Sequence, residues 1–169
     1  MKNVMLSIKP KWCELIASGR KTIEFRKTRP KSETPFKCYI YQTLGGRTNS
    51  VDILENNLGK VIGEFVCDYI LEITPDTYGY HEYCISDDDL NASCLTVNDL
   101  WEYANGKPLY GWHISDLVIY DRPKGLSDFS NGSSRLSFSE TNDGFPWKYS
   151  GMTRPPQSWC YCEEVWRRI

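Results

Sequence analysis

At Gly19 the periodicity of the apolar residues changes from about 3.6 residues, typical of a helix, to 2, typical of a strand. This change constrains the fold more than any other feature of the sequence. Before it, Trp12, Leu15 and Ile16 stand at positions i, i+3 and i+4, which indicates a helix with one apolar face. Pro10 suits the first turn of that helix, and Gly19 supplies the left-handed residue that ends it.

After Gly19 the pattern is that of a strand over residues 21–27. Ile23 and Phe25 are expected on one side, and Glu24 and Arg26 on the other. At ~3.3 Å of rise per residue, the carboxylate and the guanidinium would be about 6–7 Å apart on one face. Lys21 precedes them directly, so the sequence predicts an ammonium, a carboxylate and a guanidinium at the start of this strand.

The remaining pattern predicts an α+β fold. Further strands are expected near 4–9, 38–41, 60–73, 112–120 and 159–165. A second helical region is expected between Ser86 and Asn105, where Ser86 and the pair Thr96 and Asp99 provide N-terminal caps. About six strands, two or three helices and no β-α-β alternation predict a small, mixed, mostly antiparallel β-barrel with the helices packed on it.

The length of 169 residues predicts a single domain over residues 1–169. Residues 126–157 are rich in Pro, Gly, Ser and Asn and are expected to form one long loop. A loop of that length is often functional. It suggests one further hypothesis, that of an interaction domain acting on another protein.

Cysteine content and hydropathy predict a cytoplasmic protein without a membrane segment. The chain has seven cysteines, an odd number, which favours reduced and mostly buried thiols over disulfides. No apolar run approaches the ~20 residues of a membrane span, and no signal peptide is expected. His81 and Cys84 make only half of a ligand set, so neither a metal nor a cofactor is predicted.

The net charge is −2, but its distribution is uneven. Residues 1–37 hold ten Lys/Arg against three acids, a net of +7, and the remainder holds ten against nineteen, a net of −9. This asymmetry favours a local surface that faces an anion, with an ordinary solvated face as the alternative. A groove that binds many phosphates is disfavoured by the low overall basicity.

Gly19, Lys21, Glu24 and Arg26 form the pattern G-x-K-x-x-E-x-R directly after the first helix. This pattern resembles the signature of the ASCH family, which belongs to the PUA-like barrels. Residues 59–65 resemble the long central strand of that family, and residues 107–114 and 154–159 resemble segments common in its phage and bacterial members. The resemblance covers most of the chain except about 44–57 and 128–150.

The resemblance implies a module that binds RNA or a modified nucleoside or nucleotide in a polar cleft. Arginine offers a donor fork to a phosphate or a base edge, a carboxylate accepts from amino groups, and aromatic rings stack on bases. The ligand-binding candidates are Lys21, Glu24, Arg26, Tyr41, Trp112, Arg154, Gln157 and Trp159. From the residues alone, the alternative is an exposed strand face with a cross-strand salt bridge. The oligomeric state is left open.

An amidohydrolase acting on N-acylated cytidine is the alternative function that the resemblance implies. Lys21 matches the lysine of that subgroup, whereas Glu24 stands where the subgroup has its threonine, and Thr22 is a neighbouring hydroxyl. The acid would be Glu64 or Glu82.

A ribonuclease is the other enzyme that the family suggests, but the usual histidine pair is not evident. His81 and His113 are the two histidines of the chain. A structural role is expected for both, with His113 bonded to backbone or to a neighbouring carboxylate.

Overall fold

The computed structural model describes residues 2–45, 57–76, 83–132, 136–138, 147–149 and 151–165. Its helices are α1 Pro10–Ala17, α2 Asp87–Ser93 and α3 Val97–Ala104. Its strands are β1 Asn3–Ile8, β2 Ile23–Arg26, β3 Phe36–Gln42, β4 Lys60–Cys67, β5 Ile70–Ile73, β6 Leu109–His113, β7 Ser115–Gly125, β8 Phe129–Ser130, β9 Leu136–Phe138, β10 Trp147–Tyr149 and β11 Trp159–Glu164.

Two sheets carry most of the fold. The larger has six strands in the order β7-β4-β3-β1-β11-β8, and the smaller has three in the order β2-β6-β5. Strands β1 and β3 are parallel, and the other pairs of these two sheets are antiparallel. The prediction of a mixed, mostly antiparallel α+β fold is confirmed. Strands outnumber the prediction because the run 60–73 divides at Asp68 and Tyr69, and because several strands have only two to four residues.

Three apolar clusters show how the layers stack. The first lies between the two sheets and contains alternate residues of β1 and β3 together with Trp112 of β6. The second covers the opposite face of the six-stranded sheet and includes Phe129 and Met152. The third joins the outer face of β2, with Ile23 and Phe25, to helix α3. Strand β2 therefore separates the helical layer from the space between the sheets.

The helix ends follow the caps that the sequence predicts. Ser86 accepts from the backbone N–H of Asp89, and Thr96 and Asp99 form a complete capping box. The predicted second helical region is two short helices, because Cys94 adopts a left-handed backbone with φ of 53° and ends α2. Asn105, with φ of 52°, ends α3 in the same way.

Residues 126–157, predicted as one loop, contain short regular elements among their described residues. Leu126–Asp128 form a single 3₁₀ turn that leads into β8. The backbone N–H of Met152 donates to the carbonyl of Phe129 at 2.7 Å, and both side chains are buried in the second cluster. These buried residues cover the outer face of the six-stranded sheet.

Strand β4 is irregular next to Gly63. Ile40 stands opposite Gly63 and Tyr41 opposite Val61, so Ile62 is an extra residue in the ladder. Such a bulge reverses which residues face the core, and this explains why Ile62 and Phe65, three apart, lie in the same cluster. A Cβ at Gly63 would lie 2.4 Å from the backbone oxygen of Val118 on β7.

We expect Gly63→Ala to destabilise the protein by about 1–3 kcal/mol, because the added methyl group forces β4 and β7 apart. Gly45→Ala is the matched control, since nothing lies within 4 Å of a Cβ at that position. Urea unfolding of both variants measures the difference. Equal free energies of unfolding would show that the close approach of β4 and β7 is not needed.

Candidate functional site

The end of helix α1 fixes the place where Lys21 leaves it. The backbone N–H of Gly19 donates to the carbonyl of Ile16 at 2.9 Å, and that of Arg20 donates to Leu15 at 3.0 Å. Gly19 has φ of 72°. This is a Schellman ending, and it turns the chain from helix to strand within two residues. The predicted left-handed role of Gly19 is thereby observed.

Lys21 is a buried cation with 1% of its surface exposed. Its Nζ donates to the backbone oxygen of Ser93 at 2.5 Å and lies 3.1 Å from Oε2 of Glu24. Ser93 is the last residue of α2, where backbone carbonyls lack helical partners and favour a positive charge. The ammonium also lies 5.0 Å from the centroid of the Trp12 ring. Lys21 thus connects β2 to both α1 and α2.

Glu24 has both carboxylate oxygens occupied by cations. Oε1 accepts from Nη1 of Arg26, and Oε2 faces Nζ of Lys21. Burial alone would raise the pKa of Glu24, but Arg26 and then Lys21 outweigh it and hold that pKa below its ordinary value. The carboxylate is therefore ionised in the folded protein at neutral pH.

Arg26 joins β2 to the six-stranded sheet. Its Nη1 also donates to the carbonyl of Phe25, and its Nη2 donates to the carbonyl of Ser7 on β1, both at 2.9 Å. Its Nε is buried and has no hydrogen-bond partner among the described residues. A buried donor without a partner is costly, so this atom is suited to an acceptor on a ligand.

These three groups border a cavity of about 340 Å3, at the lower end of the range of about 300–1,000 Å3 for small-ligand sites. Its charged lining residues are Lys9, Lys11, Lys21, Arg26, Glu24 and Asp99. Its other lining residues are Ser7, Ile8, Trp12, Phe25, Leu95, Tyr103, Gln157 and Ser158. The lining therefore carries four cations and two carboxylates, which favours a ligand with negative charge.

Of the residues predicted outside the G-x-K-x-x-E-x-R segment, Gln157 lines the cavity. Arg154 is exposed and is not part of the lining. Trp159 is half-buried. Its Nε1 donates to Oγ1 of Thr28 at 2.9 Å, and its ring centroid lies 5.8 Å from that of Trp112. Neither Arg154 nor Trp159 lines the cavity.

Two predicted stacking residues serve the core instead. Trp112 stands opposite Glu24 in the strand register but is fully buried between the sheets, edge-on to Phe36. Tyr41 is 4% exposed and lies in the cluster on the opposite face of the six-stranded sheet. Neither ring lines the cavity, because Trp112 is covered by the packing between the two sheets and Tyr41 faces the opposite side of the six-stranded sheet.

Glu64 and Thr22 do not line the cavity. Glu64 accepts from Nζ of Lys37 at 2.6 Å and from the hydroxyl of Tyr120. Thr22 uses its backbone to bond Ala92 and Ile114, and its side chain is not in the lining. Glu82 and His81 lie outside the described residues.

His113 has the structural role expected of it. Its Nδ1 lies 2.6 Å from Oδ1 of Asp68, and its ring stacks on Tyr69 with centroids 4.4 Å apart. All seven cysteines are free, and four of them are buried. Among the described residues, no group of three or more His, Cys, Asp or Glu is placed to hold a metal. The helices of the described ranges include none long and apolar enough to cross a membrane.

Sequence reasoning missed the aromatic and acidic walls of the cavity. Trp12 was assigned to the apolar face of α1, and it is half-buried against the core while also lining the cavity. The sequence indicates Asp99 only as a helix cap, and Tyr103 lies within the predicted second helical region. Their spacing of four residues places both on one face of α3, but nothing in the sequence indicates which element that face meets.

We expect Glu24→Gln to lower the free energy of unfolding by roughly 3–5 kcal/mol at pH 7, because two buried cations lose their counter-ion. The folded-state pKa of Glu24 is lowered, so its contribution is present above its ordinary pKa of 4.5 and is lost as the pH falls through the lowered value. The difference between wild type and variant should therefore shrink from pH 7 to pH 3.

Urea unfolding across that pH range measures the effect, with Glu33→Gln as control. Glu33 is an exposed carboxylate that does not line the cavity, so its substitution should change stability by less than about 0.5 kcal/mol. A Glu24→Gln deficit that stayed constant with pH would contradict the ionised triad.

Comparison with known proteins places the segment within a family. Residues 6–73 match the family model described as the ASCH domain. This range contains β1, α1 and β2 with Lys21, Glu24 and Arg26. A comparison with curated protein sequences gives no match.

Solved structures share the fold over nearly the whole chain. The crystal structure of ASCH from Zymomonas mobilis aligns with a TM-score of 0.56 at 21% identity, covering 95% of this chain and 87% of that one. A tyrosine-to-phenylalanine mutant of the same Zymomonas mobilis protein aligns with a TM-score of 0.55 at 20% identity, covering 95% and 90%. The resemblance seen in the G-x-K-x-x-E-x-R segment is confirmed: residues 6–73 match the ASCH domain, and the chain shares the fold of solved ASCH structures.

Proposed function

We propose that this cavity binds a base or a modified nucleoside, free or within RNA. The observation that carries the proposal is the buried Lys21–Glu24–Arg26 triad at a cavity of about 340 Å3. Burying three charged side chains is costly unless the charges are paired and all of their hydrogen-bonding groups have partners. The unpartnered Nε of Arg26 leaves this compensation incomplete and supports a ligand acceptor, such as a base carbonyl, at the triad.

Aromatic residues on two walls support a flat ligand. Trp12 lies on α1 and Tyr103 on α3, and both line the cavity. Lys11 is exposed, and its Nζ lies 4.1 Å from the centroid of the Trp12 ring. A flexible exposed lysine can give up this ring face to a base, since base–aromatic stacking contributes about 1–3 kcal/mol.

Cations near the opening support a phosphorylated or polymeric ligand. Lys9 and Lys11 are exposed and line the cavity, whereas Lys21 and Arg26 are buried in it. The exposed lysines are therefore suited to a phosphate, and the buried pair to the polar edge of a base. The small volume favours one nucleotide in the cavity, in keeping with RNA recognition through single unstacked bases.

Trp12→Leu should weaken nucleoside binding by about 5- to 150-fold, the loss of one stacking contact of roughly 1–3 kcal/mol. Trp12→Phe keeps an aromatic plane and should lose less. Isothermal calorimetry with cytidine, N-acetylcytidine, the four ribonucleoside 5′-monophosphates and short single-stranded RNAs measures the affinities.

Tyr69→Leu is the matched control, because Tyr69 is an aromatic residue with 43% exposure that does not line the cavity. Its affinities should equal those of wild type. Binding of no member of the panel by wild type, or full binding by a folded Trp12→Leu variant, would overturn the proposal.

An amidohydrolase acting on an N-acylated cytidine is the second candidate. The observation that favours it is the contact of 3.1 Å between Lys21 and Glu24 within the cavity. Against it, Lys21 already donates to Glu24 and Ser93 as a cation, and Thr22 is not in the lining. A lysine that acts as a base or nucleophile needs its neutral form.

Chromatography after incubation with N-acetylcytidine distinguishes the two candidates. We expect wild type to bind the compound without releasing cytidine. Release of cytidine by wild type, lost in a folded Lys21→Arg variant, would instead establish the hydrolase.

A further inference from the structure

Asp99 is a carboxylate at the cavity that the G-x-K-x-x-E-x-R segment does not include. It is the third residue of α3, and its Oδ2 accepts from both the backbone N–H of Thr96 at 2.8 Å and the hydroxyl of Thr96 at 2.6 Å. These two bonds hold the side chain in one orientation. Its Oδ1 accepts no hydrogen bond among the residues that the structure describes, although Lys11 interacts with the carboxylate electrostatically.

Glu24 cannot supply the same kind of acceptor. Each of its oxygens already faces a cation, Oε1 to Arg26 and Oε2 to Lys21. Among the cavity-lining residues, Asp99 is therefore the carboxylate with an oxygen available to a neutral donor on a ligand. Asp99 is exposed whereas Glu24 is 6% exposed, so the available acceptor lies near the opening.

The cavity thus has buried donors, and it has exposed donors together with one available acceptor near its opening. Buried donors on Lys21 and Arg26 suit the carbonyl groups of a base, and exposed Lys9 and Lys11 suit a phosphate. The sugar of a nucleotide lies between its base and its phosphate. A carboxylate near the opening therefore meets the part of the ligand that carries neutral hydroxyl donors.

We propose that Asp99 accepts a hydrogen bond from a ribose hydroxyl and so makes the cavity selective for ribonucleotides over deoxyribonucleotides. The inference rests on the proposed function, since it names the sugar that the same cavity selects. Carboxylates bind ribose hydroxyls in other nucleotide sites, and the 2′-hydroxyl is the group by which proteins distinguish RNA from DNA. Hydrogen bonds to charged groups contribute about 1.5–3 kcal/mol, which corresponds to a selectivity of about tenfold or more.

The test measures a ratio of affinities rather than an affinity. Calorimetry compares each ribonucleoside 5′-monophosphate with its 2′-deoxy and 3′-deoxy analogues, for wild type, Asp99→Asn and Asp89→Asn. Asp89 is the matched control, because it holds the same position in α2, bonds Ser86 as a cap, and does not line the cavity. A general loss of helix stability lowers both affinities and leaves their ratio unchanged.

We expect wild type and Asp89→Asn to prefer a ribonucleotide by about tenfold or more over at least one deoxy analogue. In Asp99→Asn this preference should fall close to one. A preference retained in Asp99→Asn, or no preference in wild type that binds the nucleotides, would overturn the assignment of Asp99 and leave the proposed function intact. Equal weakening of ribonucleotide and deoxynucleotide binding in Asp99→Asn would also overturn the assignment of Asp99. If wild type bound none of these nucleotides, both this inference and the proposed function would be overturned.

Discussion

The bridge that Glu24 makes between Lys21 and Arg26 holds together the parts of the fold that meet at the cavity. Arg26 extends the bridge to Ser7 on β1, and Lys21 extends it to Ser93 at the end of α2. One carboxylate therefore ties the six-stranded sheet, β2 and the helical layer through charged groups removed from water. Because a buried charge is costly when its partner is missing, each contact of this bridge depends on the other two.

This arrangement gives the G-x-K-x-x-E-x-R segment a structural role beside the recognition role that we propose for it. Gly19 sets the turn, and Lys21 and Glu24 direct most of their hydrogen-bonding capacity to the protein itself. The buried Nε of Arg26 has no hydrogen-bond partner in the described part of the chain, and the proposed ligand would supply one. The walls that complete the cavity come from Trp12 and from α3, outside the segment.

Sequence patterns predicted the features that depend on neighbouring residues. The helix ending at Gly19, the shared face of Glu24 and Arg26, and the caps at Ser86 and Thr96 all follow from local geometry and were predicted correctly. Tyr41 and Trp112 were expected at a cleft, but the contact of one layer with another decides that, and local alternation does not encode it. Asp99 and Tyr103 were missed for the same reason, since α3 reaches the cavity only through the tertiary fold.

Strand β2 separates two environments, with Ile23 and Phe25 packed toward α3 and Glu24 and Arg26 turned to the space between the sheets. The cavity is consequently lined by Glu24 and Arg26 from the smaller sheet and by Leu95, Asp99 and Tyr103 from the helical layer. Substitutions at these three positions would change the shape and charge of the cavity lining while leaving the charged triad in place. One short helical segment can therefore vary at the cavity without any change in the sheet that carries Glu24 and Arg26.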